Sequence, residues 1–218
     1  MSFDVTTAST DYLTKNSYPV GFNSVYTTMF WWNFEGSTGS YQLLWYGWSA
    51  DDAAYDGVGI DSGDTLLRGE CYGGATETTS TGGSLASGNW YHIAVVRESA
   101  TSLKFYLDGA LTITLTDNVG SRAAQTKEEL LATHVGFGSS GKAEAFKQWN
   151  RALTANEIAV ERKTTLPVNR LGLYCYHPMI ASTAAEAVKD WSGNARNFTI
   201  VGTGAVSTNQ RRVLTLNK

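Results

Sequence analysis

Between residues 46 and 72 of this 218-residue chain, Tyr46, Trp48, Asp51, Asp52, Tyr55 and Tyr72 lie in or beside polar loops. Flat aromatic faces with nearby carboxylates and amides are what a sugar site needs: the ring packs on the apolar face and the oxygens accept hydroxyl hydrogen bonds. These six residues form the candidate ligand-binding set. Trp48 ends an alternating strand and runs directly into Ser49, Ala50, Asp51 and Asp52. Two readings stay open for it. An exposed indole is a stacking platform, whereas an indole packed with Trp45 against neighbouring chain is core. Aromatics on loops are better ligand candidates than Trp31, Trp90 or Trp149, which stand inside strand patterns.

A second group suits a cation. Asp190, Ser192 and Asn194 alternate around Gly193 and present hard oxygen ligands together, as calcium requires. Asp190 and Asn194 are the candidate ligands, and calcium the only cofactor expected. A plain turn held by Asx-type hydrogen bonds competes with that reading. The loop holding Asp51, Asp52 and Asp56 is another cation candidate, because like charges this close repel unless a cation or solvent separates them.

Catalysis has little to work with. A retaining glycosidase needs two carboxyl groups about 5 Å apart, which alternate strand positions supply. Glu70 and Glu144 each stand alone, and Glu128-Glu129 falls in Lys127 to Leu131, which reads as a helical turn on a surface loop. No spacing brings His92, His134 and His177 together, and His92 reads as a core residue. The expectation is a protein that is not an enzyme.

Composition narrows the class further. Aromatics make up 12% of the chain, with seven Trp and eleven Tyr, while charged residues are only 17%. Many Ser, Thr and Gly residues suit short strands joined by turns. A net charge of −3, with no basic cluster larger than a pair such as Arg211-Arg212, leaves no electrostatic footprint for nucleic acid. No apolar run is long enough to span a bilayer. The start, Met1-Ser2-Phe3-Asp4, has no basic start or apolar core, so no signal peptide is expected. The location is otherwise open, with a surface-exposed or virion-associated product as the suspicion. Cys71 and Cys175 sit in aromatic strand contexts and read as buried free thiols, with a disulfide as the alternative. No His or Cys partners stand at zinc spacing.

The elements that must position these residues centre on Gly88 to Asp117. Trp90 to Arg97 is aromatic and β-branched and apolar on both faces, so it reads as a central strand. Leu103, Phe105 and Leu107 alternate with Lys104, Tyr106 and Asp108; then Asp108-Gly109 makes a type I′ hairpin turn. Leu103, Phe105, Leu111 and Ile113 are expected to face inward or across a sheet. Tyr26 to Glu35 reads as a strand covered on both faces, with Tyr41 to Trp48 as its partner across a five-residue turn. Val58 to Tyr72 reads as a hairpin turning at Asp61 to Asp64. Gly73 to Ser87 is expected to be an exposed loop with at most a short polar strand. Short strands are expected at His134 to Gly138, Gly141 to Trp149, Leu171 to Tyr176, Phe198 to Val201 and Arg212 to Leu216. Thr154 with Glu157 forms a capping box for a helix over Ala155 to about Lys163. No linker is visible, so residues 1–218 are read as one domain.

Gly88-Asn89-Trp90-Tyr91-His92-Ile93-Ala94-Val95-Val96, followed by Phe105-Tyr106-Leu107-Asp108-Gly109, resembles the central strands of the concanavalin A-like lectin/glucanase superfamily. It is most similar to the laminin-G-like and pentraxin-like jelly rolls. Phe146 to Ile158 resembles that family's strand leading into a short helix, and Asp190-Trp191-Ser192-Gly193-Asn194 its Asp-x-Ser-Gly-Asn loop. The resemblance covers about two thirds of the chain. In order it departs from the family: the Leu-Tyr-x-Tyr strand and the Asp-x-Ser-Gly-Asn loop often precede the rest of the domain, and here they come last. The Glu-x-Asp-x-x-Glu strand of the family's glucanases is missing.

The fold expected is therefore all-β, a two-sheet antiparallel jelly-roll sandwich with one short helix. The resemblance implies a non-catalytic glycan- or polysaccharide-binding adhesion module. A structural building block of a surface or virion assembly, meeting other subunits, is the competing class, and a glycan-active enzyme the third.

Overall fold

The computed structural model describes residues 2–5, 12–16, 25–36, 39–49, 54–63, 65–73, 76–116, 125–131, 139, 141–179, 183–202 and 205–207. The strands are β1 (Ser2–Val5), β2 (Tyr12–Lys15), β3 (Tyr26–Phe34), β4 (Gln42–Ser49), β5 (Tyr55–Ile60), β6 (Leu66–Tyr72) and β7 (Thr78–Ser84). They continue with β8 (Trp90–Ser99), β9 (Ser102–Leu107), β10 (Ala110–Thr116), β11 (Gln125–Leu130), β12 (Gly141–Trp149), β13 (Leu173–His177), β14 (Thr199–Val201) and β15 (Ala205–Ser207). Among the described residues there are two helices, α1 (Ala155–Glu161) and the single turn α2 (Ala184–Ala187). The first sheet runs β10-β9-β8-β3-β12-β1-β15, with β13 also on β12; the second runs β14-β2-β11-β4-β5-β6-β7. All pairings are antiparallel. The architecture is the expected jelly-roll sandwich.

Apolar inner faces fuse the sheets. Tyr26, Phe30, Trp32 and Phe34 of β3, Ile93 and Val95 of β8, and Phe105 of β9 meet Leu44 and Trp45 of β4 and Val58 and Ile60 of β5 in one buried cluster. The hairpin at Asp108-Gly109 forms as expected, with φ of 52° and 84° at the two turn residues. Cys71 and Cys175 are buried and free. β12 divides its outer edge between two partners. Residues 141–143 pair with β1, residues 146–149 pair with β13, and Ala145 between them takes a φ of 51°.

Three expectations fail, each for a physical reason. β3 and β4 are not partners: β3 lies between β8 and β12, and β4 between β5 and β11. Both strands are buried on both faces, so each needs two neighbours within its own sheet. The short link between them crosses the roughly 10 Å between sheets. Residues 127–130 are strand, not helix. Lys127-Glu128-Glu129 has good helix formers, but its place between β2 and β4 overrides a weak local preference. Leu111 is 51% exposed rather than inward. A bulge between Leu111 and Ile113 sets Leu111 opposite Tyr106 and leaves Ile113 and Leu115 to face the core. The expected strands at 134–138 and 212–216 lie outside the described residues.

α1 covers the outer face of the first sheet. Thr154 Oγ1 accepts from the Glu157 N–H and Glu157 returns the contact to the Thr154 N–H, which is the capping box. Ile158 then packs with Met29, Ala94, Val96, Tyr106, Trp149 and Leu153. Lys147, on the same face of β12, reaches Glu161 Oε2 at 2.8 Å and the Thr164 carbonyl at 2.8 Å, which satisfies acceptors at the end of the helix.

Candidate functional site

Both helices lie on or beside the first sheet. Among the described residues no helix packs on the outer face of the second sheet, and that face carries the candidate aromatics. A bulge in β4 between Leu43 and Trp45 makes this possible. It turns both Leu44 and Trp45 into the main core and sends Leu43, Tyr46 and Trp48 outward, where they cluster with Tyr41 and Tyr55.

Register does the rest. Tyr55 sits opposite Trp48 on one side and Tyr72 on the other, and Gly57 sits between Tyr46 and Glu70. Ring centroids follow at 5.4 Å for Trp48–Tyr46, 4.9 Å for Tyr46–Tyr55 and 5.4 Å for Tyr55–Tyr72. The last pair is close to parallel, at 28°. Trp48 and Tyr46 are only 5% and 6% exposed, so they form the packed end of the run. Tyr55 and Tyr72 are half-buried and form its accessible end.

Charged groups line the same face. Arg68, on β6, lies over the Tyr41 ring at 4.7 Å and pairs with Glu70 at 3.3 Å and with Glu77 at 3.3 Å. Lys127 lies 6.0 Å from the Trp48 ring. Glycines clear the space. A Cβ at Gly57 would come within 2.7 Å of Glu70 Oε1, and one at Gly59 within 2.3 Å of the Gln42 carbonyl and 2.7 Å of the Tyr41 ring. Glu70 and Tyr41 therefore lie flat across β5. Burial raises the Glu70 carboxyl above its ordinary range, against the pull of Tyr41 and Arg68. Burial also raises the Tyr55 hydroxyl, helped by the charges of Glu77 and Glu70, so it stays protonated as a donor. The face presents ring surface, the Arg68 guanidinium and the exposed Glu77 carboxylate, with the Glu70 carboxyl buried beneath them.

Four of the six residues expected at the site, Tyr46, Trp48, Tyr55 and Tyr72, are therefore brought together. Asp51 and Asp52 lie outside the described residues. Trp48 is packed, whereas Tyr55 and Tyr72 keep part of their rings accessible. Tyr41, Arg68, Glu70 and Glu77 were missed as site residues. The signal for Arg68 and Glu70 was available: alternation on the two sides of a turn at 61–64 puts 55, 57, 59, 68, 70 and 72 on one face, and the observed register, Ile60 opposite Leu67, sets 55 opposite 72, 57 opposite 70 and 59 opposite 68.

The Asp190 loop hangs from β13. Asp190 accepts from the N–H groups of Tyr176 at 3.0 Å, Ser192 at 2.9 Å and Arg196 at 3.0 Å, and from the Ser192 hydroxyl at 2.9 Å. Burial pushes its carboxyl up, but these backbone donors outweigh burial and hold it below the usual range. Asn194 turns its amide nitrogen to the Tyr174 carbonyl at 2.9 Å. A calcium ion needs oxygens converging with no N–H groups between them. These two side chains present the hydrogen bonds of an Asx turn instead. His92 faces outward from the first sheet beside Trp31, and His177 faces inward beside Phe146 and Phe198. The sandwich separates these two, and His134 lies outside the described residues. No described helix is long and apolar enough to cross a membrane.

Two antiparallel sheets packed face to face, with no described helix on the outer face of the second, define the class of fold. Residues 7–159 match the Concanavalin A-like lectin/glucanases superfamily, and the chain belongs to it. The match stops before β13 and the Asp190 loop, the parts whose order departs from the family. Among solved structures the chain is similar to a Bacteroides ovatus protein inferred to bind carbohydrate, at 18% identity and a TM-score of 0.69, over 95% of this chain and 61% of that one. It therefore spans less than two thirds of that protein's length. It is also similar to the heptameric SAP-like pentraxin of Limulus polyphemus, at 15% identity and TM-score 0.56, over 72% of this chain and 78% of that one. A third similarity is to domains LG4-5 of the mouse laminin alpha1 chain, at 13% identity and TM-score 0.54, over 71% and 43%. At such identities these likenesses establish the fold alone. Among curated proteins none matches the sequence.

Proposed function

We propose that this chain is a non-catalytic carbohydrate-binding module that takes a glycan on the outer face of its second sheet. The observation that carries the reading is the aromatic run Trp48–Tyr46–Tyr55–Tyr72, which spans three strands and ends in a half-buried, near-parallel tyrosine pair. A sugar ring stacks on Tyr55 and Tyr72, while Arg68 and Glu77 bond its hydroxyls. The fold relative from Bacteroides ovatus, inferred to bind carbohydrate, supports the same direction. The test is a glycan array with the parent chain and Tyr72→Ala. Retention of a glycan class by the parent and its loss in the variant, with melting little changed, supports the reading. A parent that retains no glycan sinks it.

A structural role in a surface or virion assembly is the second reading. Its support is a strip of exposed apolar side chains at the end of α1 and beyond it, Val160, Leu166, Val168 and Leu171, which suits contact with another subunit. Sedimentation over a concentration series checks it: a monomer at every concentration removes self-assembly.

A further inference from the structure

Lys15 is a lysine in the interior of a β-sandwich. It extends from β2 of the second sheet, directly opposite Glu128 of β11, and forms a buried ion pair with Glu128 Oε1. From the first sheet comes Gln148 of β12, directly opposite Thr28 of β3 and Cys175 of β13. The two sets meet between the sheets. Lys15 Nζ is 3.3 Å from Gln148 Oε1 and 3.3 Å from Cys175 Sγ. Gln148 Nε2 donates to Glu128 Oε2 at 2.8 Å and to Thr28 Oγ1 at 3.0 Å. The amide orientation is fixed by its neighbours: acceptors face its nitrogen, and the ammonium and thiol face its oxygen.

One carboxylate therefore touches both the amine and the amide nitrogen of a lysine–glutamine pair. The surroundings are dry. Lys15, Glu128, Gln148 and Cys175 are all buried, and the rings of Phe198, Tyr174 and Phe146 stand 5.1, 5.3 and 5.7 Å from Nζ. Such a site excludes the water that would compete with an amine, and proximity replaces a bimolecular encounter.

We propose that Lys15 and Gln148 join through an intramolecular isopeptide bond that ties the two sheets together, with Glu128 carrying the proton. Glu128 takes a proton from the Lys15 ammonium. The freed Nζ lone pair attacks Gln148 Cδ, and the Nζ–Cδ bond forms. Charge gathers on Oε1, facing the Cys175 thiol, which donates to it across 3.5 Å. Glu128 passes a proton to Nε2, the Cδ–Nε2 bond breaks and ammonia leaves. It departs with the second Nζ proton as ammonium, so the positive charge of Lys15 leaves with it and Glu128 ends as it began. Nothing is oxidised or reduced. Burial pushes the Cys175 thiol up to about 12, which keeps it a protonated donor rather than a rival nucleophile.

The bond would link residues 133 positions apart. It would anchor β2, a strand of only four residues, to the centre of the opposite sheet. The inference stands apart from the glycan reading, since no residue of the aromatic run takes part.

Mass spectrometry of the denatured chain decides it. The folded protein should be lighter than its sequence by one ammonia, about 17 Da. Trypsin should no longer cut after Lys15, and tandem spectra should find the segment containing Lys15 joined to the one containing Gln148. The linked peptide also excludes cyclisation of a terminal glutamine, which has the same mass loss. Glu128→Ala, recovered folded by near-ultraviolet circular dichroism, should keep the full mass. A folded parent at full mass, with Lys15 cleaved normally, overturns the proposal. A folded Glu128→Ala that still loses ammonia overturns the proton-carrier role.

Discussion

Arg97 and Asp56 meet across the interior of the sandwich with both side chains fully buried, Nε donating to Oδ2 at 2.9 Å and Nη2 to Oδ1. Arg97 comes from the first sheet and Asp56 from the second, and the Tyr26 hydroxyl donates to the same Oδ2 at 2.6 Å. The remaining guanidinium nitrogen donates to the Ala100 carbonyl at 3.1 Å. Each charge is held by the other and by further hydrogen bonds, the condition under which a buried pair is tolerated. Removing one partner leaves a bare charge in the core. Arg97→Met should therefore destabilise the fold by about 3–5 kcal/mol in urea unfolding, and the double variant Arg97→Met with Asp56→Leu should recover much of that. A single variant as stable as the parent would show that the pair does not hold the sheets.

The residue next to Asp56 points the other way. Tyr55 belongs to the outer face, so binding and stability should separate along one strand. Tyr55→Ala or Tyr72→Ala should lower glycan affinity tenfold or more, about 1.4 kcal/mol, while melting moves little. Trp48→Ala should instead destabilise by about 3–5 kcal/mol, because its indole is packed. Titration and thermal melting on the three variants check the division. Equal loss of stability in all three would make the run a second core rather than a site.

Much of this face was legible before the structure, and what was not has a physical explanation. A hairpin turning at 61–64 puts Tyr55 and Tyr72 on one face by counting, since side chains alternate with a period of two, while their direct opposition comes from the observed register, Ile60 opposite Leu67. Asp108-Gly109 and the Thr154–Glu157 capping box act through local backbone chemistry, so they too could be read directly. Period two says that a strand is buried on both faces but not which strands flank it. That is why β3 and β4 read as partners when they stand in opposite sheets. Bulges leave little mark in sequence. The one in β4 puts Leu44 and Trp45 inward together and thereby turns Tyr46 and Trp48 outward; the one in β10 turns Leu111 out. The meeting of Lys15 with Gln148 was least legible, because it depends on how the two sheets are stacked.

His177 should make the fold sensitive to acid. Its Nδ1 is 3.0 Å from the Val188 carbonyl, and burial, with Lys15 nearby, lowers its pKa from 6.5 to about 3. Below 6.5 the unfolded chain takes up a proton that the folded chain refuses until about pH 3. Stability is thus kept above the unfolded value and lost as pH falls through that window, by up to about 1.4 kcal/mol per pH unit. Urea midpoints from pH 7 to pH 4 measure the slope. A stable His177→Gln variant should flatten it, and an unchanged slope in that variant would place the acid sensitivity elsewhere.

Asp190 tests the two readings of its loop. As the centre of an Asx turn, it satisfies three backbone N–H groups and the Ser192 hydroxyl. Asp190→Ala leaves the buried N–H of Tyr176 without that acceptor and should destabilise by about 1–3 kcal/mol. Excess calcium and a chelator should then give the parent the same melting temperature, because an ion raises stability only when the native state binds it. A melting temperature that climbs with calcium, and stops climbing in Asp190→Ala, would instead show that Asp190 and Asn194 rearrange around a cation.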